Sequence, residues 1–451
     1  IMQDVIYIAQ DRMTTSRLAL YGGYNRMPGL QRLAEHGTVF KQATAPAAST
    51  IMCHSCEWTG LYPWQLHGDT TVFSERQYET KIPAPPRTVF SRMQQLGYDT
   101  YVVLVTKPDK YAVGYMHIQE LMSDSKVVLV KDVDQPGGAI GRIEQMQAVL
   151  KCVEMSRARG KKAFVWTKMH GMYQGLADGN DHNFLIEHAK YDGQPRVTPD
   201  DCWWSATDQA IAWMLDGQIS PQLDGVTVWF GSDHGAFQSG EHSRAHYGYH
   251  LRQEIVHVPL ICSDVINGID IDQPFSMRRL AELIPAQEEH HNVGSFNEET
   301  IYAETLFPGQ LPHRSGTKES MMKIMVREGR WKLIVCPYGE QGDGDPCALL
   351  YDLEYDPHEK ANLSQGAADE PYIDYPRDHF GAAAVRDIAF RLRLDLDPVQ
   401  CNVPLSKALK VYEAGWDQAA EIEQSLLVKA LAIWSASGRQ ALVERAKQCL
   451  M

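Results

Sequence analysis

Four short runs of β-branched and aromatic residues constrain the fold of this chain more than any other feature. Asp4–Gln10 reads DVIYIAQ, residues 100–105 read TYVVLV, residues 162–167 read KAFVWT and residues 226–231 read VTVWFG. Such short, continuously apolar runs suit strands covered on both faces, as parallel strands are. Between them the period changes. Residues 139–158 and 208–216 carry helical spacing, and residues 86–96 read as a helix leading into the second run. Strands alternating with helices predict an α/β domain. In open α/β sheets, ligands bind beyond the carboxyl ends of the strands. Asp11, His170 and the run Ser232-Asp233-His234-Gly235 all follow strands in that way.

From residue 321 the pattern becomes short strands with turns, at 323–326, 330–335 and 348–353, which predicts a smaller antiparallel sheet. Residues 376–451 read as mostly helical, with helices over 405–416 and 419–450. The apolar Leu426, Leu427, Leu431 and Trp434 read there as exposed. They suit a helix pair packed on the main domain, or a subunit contact that makes a homo-oligomer. The expected layout is 1–318 as the large α/β domain, 319–375 as a C-terminal antiparallel-sheet subdomain and 376–451 as a helical extension.

Composition narrows the partners. With 451 residues there is chain enough for one large domain and a smaller one. Lys and Arg number 43 against 57 Asp and Glu, a formal charge of −14. That balance argues against nucleic acid as the main partner but not against a small anionic substrate, because sites are local. No apolar run approaches the ~20 residues of a membrane span. The chain opens at Ile1 and Met2 without a charged-then-apolar leader, so it reads as cytoplasmic or already processed. Nine scattered cysteines without zinc-ribbon spacing read as reduced thiols.

Residues 45–68 read APAASTIMCHSCEWTGLYPWQLHG. The second half, Thr59-Gly60-Leu61-Tyr62-Pro63 then His67-Gly68, resembles the close of the nucleophile motif of the sulfatase family, within the alkaline phosphatase superfamily. Aligned without a gap, the cysteine that sulfatases oxidise to formylglycine falls on Thr50, and the motif's arginine falls on His54; Cys53 and Cys56 do not begin that motif. A hydroxyl can serve as nucleophile where a divalent metal lowers its pKa. Thr50 also suits the cap of a helix over 51–58, and a helix N-terminus itself favours an anion. Ser49 is the alternative nucleophile.

The resemblance extends along the chain. Asp4–Gln10 with Asp11, then Leu18-Ala19-Leu20-Tyr21-Gly22 and residues 28–40, resemble the family's opening. This implies Asp11 as a metal ligand, with a strand-end cap as the ordinary alternative. The family's second aspartate is Arg12 here, which removes one ligand of a calcium-type oxygen shell. Ser232-Asp233-His234-Gly235 resembles T-S-D-H-G and implies Asp233 and His234 as ligands. One ion would then be held by Asp11, Thr50, Asp233 and His234. Its identity stays open between Mn, Zn, Ca and Mg. His170 resembles the histidine that touches the leaving-group oxygen. The family's anion-binding lysines have no direct match. Lys107 stands near one, and Arg244, His246 and His250 stand near the other, His246 being favoured as catalytic. Arg12, His54, Lys107 and His250 are the expected substrate contacts. Residues 350–363, LYDLEYDPHEKANL, resemble the family's long C-terminal signature.

The resemblance covers residues 4 to 363. It implies a sulfatase-like α/β fold, a large mixed sheet sandwiched by helices with a smaller C-terminal α+β subdomain, and a metal-dependent hydrolase or transferase of phosphate, phosphonate or sulfate esters, with Thr50 attacking in line. Phosphoester chemistry is favoured, because a formylglycine hydrate expels sulfate by elimination and threonine cannot. Arg12, His54 and the missing lysines leave a second reading open, a catalytically degenerate binding or scaffolding protein. Direct use of threonine in a sulfatase or sulfotransferase-like reaction is a third.

Overall fold

The computed structural model describes residues 3–23, 25–67, 87–106, 119–131, 138–169, 199–216, 225–236, 248, 250–266, 271–289, 300–305, 322–339, 344–354, 356–359, 362–364 and 405–450. His170, His246, Lys107 and Arg244 lie outside these residues. The chain forms two compact units. One comprises Ile1–Leu66, Ser74–Tyr247 and Glu254–Glu298; the other comprises His67–Phe73, Gly248–Gln253 and Glu299–Met451.

The first unit is built on a seven-stranded sheet. Its strands are β1 (Asp4–Gln10), β2 (Thr38–Val39), β4 (Asp99–Thr106), β5 (Lys126–Lys131), β6 (Ala163–Met169), β7 (Val226–Ser232) and β8 (Leu260–Cys262). They lie in the order β2-β8-β7-β1-β6-β4-β5. The strands β7, β1, β6, β4 and β5 are parallel, whereas β8 runs antiparallel to β7 and β2. The continuous apolar runs are explained by burial, since every residue of β1, β6 and β7 is buried. On one face Ile6, Ile8, Val165, Val228 and Phe230 join Met146, Val149, Trp204 and Ile211 from the helices Gly138–Arg157 and Pro199–Leu215. On the other face Trp166 and Phe164 meet Trp58 and Phe90, from α2 (Thr50–Thr59), which follows α1 (Pro28–Ala34), and from the helix Val89–Gln95. Two further strands, β3 (Ala43–Thr44) and β9 (Phe275–Ser276), pair in parallel beside the main sheet. This is the mixed, helix-sandwiched sheet that the resemblance implies.

The second unit holds an antiparallel sheet of β10 (Thr300–Glu304), β11 (Ile324–Glu328), β12 (Trp331–Cys336) and β13 (Cys347–Asp352), in that order. The C-terminal pattern needs correction. One continuous helix runs over Leu405–Ala436, and the chain turns at Gly438 before a helix at Gln440–Ala446. The apolar residues that suggested a subunit contact face inward. Leu426, Leu427 and Trp434 are buried by their own chain, and Leu431 is half-buried. Among the described residues, Cys53, Cys56, Cys152, Cys262, Cys336, Cys347 and Cys449 form no disulfide. No helix among the described residues is long and apolar enough to cross a membrane.

Candidate functional site

Strand register assembles the site. Gln10 at the end of β1 pairs with Ser232 at the end of β7 on one side and Met169 at the end of β6 on the other. The next residues, Asp11 and Asp233, therefore emerge side by side. Local bonds fix the three ends. The Asp11 amide donates to the Met169 carbonyl at 2.9 Å and the Asp233 amide to the Gln10 carbonyl at 3.2 Å. The Ser232 hydroxyl bridges by donating to the His234 carbonyl at 2.9 Å while it accepts the Met13 amide at 2.9 Å. Gly235 is demanded by close packing. A Cβ there would lie 1.8 Å from the Glu254 carbonyl oxygen.

Asp11, Asp233 and His234 each bring one ligand atom to within 4.8 Å of the others, and all three are buried. His234 Nδ1 lies 2.7 Å from the Gly235 carbonyl. A carbonyl only accepts, so Nδ1 carries the proton and Nε2 presents its lone pair. Asp233 Oδ1 accepts the amides of Arg12 at 3.2 Å and His234 at 2.9 Å, which turns Oδ2 inward. Two carboxylates and a backbone-anchored imidazole suit a small divalent ion, and second partners of this kind are what orient ligands. The donor chemistry fits a metal.

Thr50 faces this cluster from the first turn of α2. Its Oγ1 is 3.3 Å from Asp11 Oδ1 and 3.1 Å from His234 Nε2. The capping role is corrected here. Ser49 is the N-cap, no side chain bonds the cap, and Thr50 is the first helical residue. Its hydroxyl is spent on the site.

The other expected contacts diverge. Arg12 takes a left-handed φ of 55°, costing about 1 kcal/mol for a non-glycine residue, and its Nε lies 3.4 Å from Asp11 Oδ2. His54 is wholly buried beside Asp233. Its Nε2 is 3.8 Å from Asp233 Oδ2, its Nδ1 is 3.0 Å from Glu57 Oε2, and the Trp166 ring packs edge-on at 4.9 Å. Burial raises the Glu57 carboxyl well above its usual range; Asp233 adds to the shift, and Lys168 opposes it. His250 is a buried residue of the second unit.

Sequence reasoning missed Lys168. It lies on β6 with its side chain fully buried, and Nζ stands 2.6 Å from Asp233 Oδ2 and 3.5 Å from Asp11 Oδ1. It also donates to the Gln10 carbonyl at 3.4 Å. The signal was present: a lysine inside a strand buried on both faces must meet opposite charge. Arg142, buried on the helix Gly138–Arg157, is a second missed cation. Burial lowers its pKa, and the charge of Asp11 pulls it back up.

The family model described as Sulfatase matches residues 3–120, the segment that carries Asp11 and Thr50. No curated protein sequence matches the chain. Several solved structures share the fold. A 2-O GAG sulfatase matches with a TM-score of 0.55 and 15% identity, over 89% of this chain and 96% of its own. A protein solved in complex with its substrate D-glucosamine-2-N,6-O-disulfate matches at 0.53 and 14%, over 81% of this chain and 94% of its own. The phosphonate monoester hydrolase of Agrobacterium radiobacter matches at 0.50 and 13%, over 87% and 95%. At these identities the likeness establishes a sulfatase-type fold.

Proposed function

We propose that this chain is a hydrolase or transferase of anionic esters, with phosphate or phosphonate preferred over sulfate, and that Thr50 is its nucleophile. The observation that carries this reading is the Thr50 hydroxyl within 3.3 Å of Asp11 and 3.1 Å of His234 at the head of α2. The family match over residues 3–120 and a fold shared with sulfatases and a phosphonate monoester hydrolase support it.

In this reading Asp11, Asp233 and His234 hold one divalent ion, with Thr50 beside it. Such an ion, when bound, lowers the pKa of a neighbouring hydroxyl and neutralises charge on the ester's equatorial oxygens. The chain's own groups do the rest. Asp11 Oδ1 is an acceptor within reach of the Thr50 proton, and the Nδ1 bond to Gly235 leaves the lone pair of His234 on Nε2, the atom that would hold the ion. The amide groups opening α2 favour an anion in front of Thr50. The Arg12 side chain, at the rim beside Asp11, adds positive charge there. His54 stands beside Asp233. Thr50 Oγ bonds to phosphorus as the ester oxygen leaves, and the phosphothreonine then passes to water or an acceptor alcohol. His170 is the proposed donor to the leaving oxygen. His246 as a catalytic residue and Lys107 as a substrate contact remain proposals from the sequence.

The test is turnover of nitrophenyl phosphate, phosphonate, phosphodiester and sulfate esters by wild type and Thr50→Ala, beside metal content by elemental analysis. One ion per chain is expected, with kcat falling by roughly 10⁴-fold or more in the variant. Equal turnover in both would remove Thr50 as nucleophile. No ion and no turnover would leave the binding-protein reading in front.

A further inference from the structure

The pocket formed by the three ligand residues already contains a cation of the chain's own. Lys168 Nζ lies 2.6 Å from Asp233 Oδ2 and 3.5 Å from Asp11 Oδ1, and its side chain is fully buried. We infer that Lys168 is an internal counter-ion of the metal pocket, holding Asp11 and Asp233 together in the metal-free protein and competing with the divalent ion for the same carboxylate oxygens.

The argument is one of charge and space. Asp233 Oδ1 is committed to two backbone amides, so Oδ2 is the oxygen turned toward the pocket, and Lys168 lies on it. Two buried carboxylates this close repel one another unless a cation stands nearby. In the metal-free protein Lys168 meets that need, with His54 3.8 Å from the same Oδ2. An ammonium and a divalent ion cannot both sit at bonding distance from one oxygen without strong repulsion. Metal entry therefore displaces Nζ. The Gln10 carbonyl, already 3.4 Å away, is an acceptor on which the withdrawn ammonium can remain. The consequence is a pocket that folds without metal and binds it more weakly than its ligand set alone would.

This inference rests on the metal-holding part of the proposed function and not on turnover, so its test is read by heat of binding. Mn²⁺ is titrated calorimetrically into metal-free wild type, Lys168→Met and Lys168→Arg. Methionine keeps the length and removes the charge; arginine keeps the charge. The expected result is one Mn²⁺ per chain, bound about tenfold or more tighter by Lys168→Met than by wild type, with Lys168→Arg no tighter than wild type. Equal or weaker binding by Lys168→Met overturns the inference. Where Lys168→Met does not fold, a crystal of wild type soaked in Mn²⁺ decides. Anomalous density between Asp11, Asp233 and His234 with Nζ out of salt-bridge distance of Asp233 supports displacement. Density with Nζ still in place, or no density at saturating Mn²⁺, overturns it. Loss of turnover in Thr50→Ala bears on the nucleophile alone, so the two failures are separable.

Discussion

Among the described residues, Asp233 ties several parts of the site together. One oxygen accepts two amides from the loop ends, and the other faces Lys168 and His54. Removing one member of a buried pair leaves a desolvated charge and costs about 3–5 kcal/mol, whereas removing both is far milder. Asp233→Asn is expected to lose stability on that scale without metal, because the amide cannot neutralise Lys168. The double variant Asp233→Asn, Lys168→Met should recover most of the loss. Urea unfolding of the four proteins in chelator forms the cycle, and additive losses would show that the pair is not coupled. Asp11, Thr50, Asp233 and His234 were singled out through the family resemblance, three of them also by their places after strands, and the structure brings the four close together. Lys168 and Glu57 were not legible, because each lies inside an element. Their partners come from distant segments, and no local spacing announces them.

Among the elements, the helix Pro199–Leu215 does more than cover the sheet. Asp208 on it accepts the amides of Gly29 at 3.0 Å and Leu30 at 2.8 Å, so it caps the helix Pro28–Ala34 from a neighbouring element. Contact is close enough that a Cβ on Gly29 would meet the Asp208 carbonyl oxygen at 2.4 Å. Burial pushes the Asp208 carboxyl up from 3.8 to about 6, against the pull of the two amides. The folded chain thus keeps this proton to higher pH than the unfolded chain. Its contribution to stability is complete below about pH 4 and is lost as pH rises through about 6. Asp208→Asn should flatten the fall in unfolding free energy across that window; an unchanged slope would assign it to other groups. Residues 208–216 read as a helix by spacing, but the capping was hidden, since it joins residues 179 positions apart. Local periodicity names elements, whereas caps supplied from elsewhere depend on the tertiary fold.

For the whole molecule, the long-range pattern was legible where a motif was long and buried. Residues 350–363 read as a signature, and they place Leu350, Tyr351 and Asp352 on β13, with Asn362 Oδ1 accepting the Leu350 amide at 2.8 Å. The C-terminal apolar stripe left packing within the chain and a subunit contact both open, because its partners lie far off in sequence; Trp434 donates to Glu304 at 2.9 Å from a buried ring. Charge acts on the same scale. The chain carries a formal −14, while the proposed site sets Arg12 and Lys168 beside its carboxylates. An anionic ester approaching from solution meets the net field first and the local cations only at contact. The Debye length shrinks from roughly 30 Å at 0.01 M salt to roughly 8 Å at 0.15 M, so salt removes the distant repulsion and leaves the buried contacts nearly intact. The kcat/KM for a dianionic aryl phosphate, measured at fixed Mn²⁺, should therefore rise about two- to fivefold over that range. A fall with salt would mean that the local cations, not the net charge, govern encounter, and that the ester is drawn to the site from well outside it.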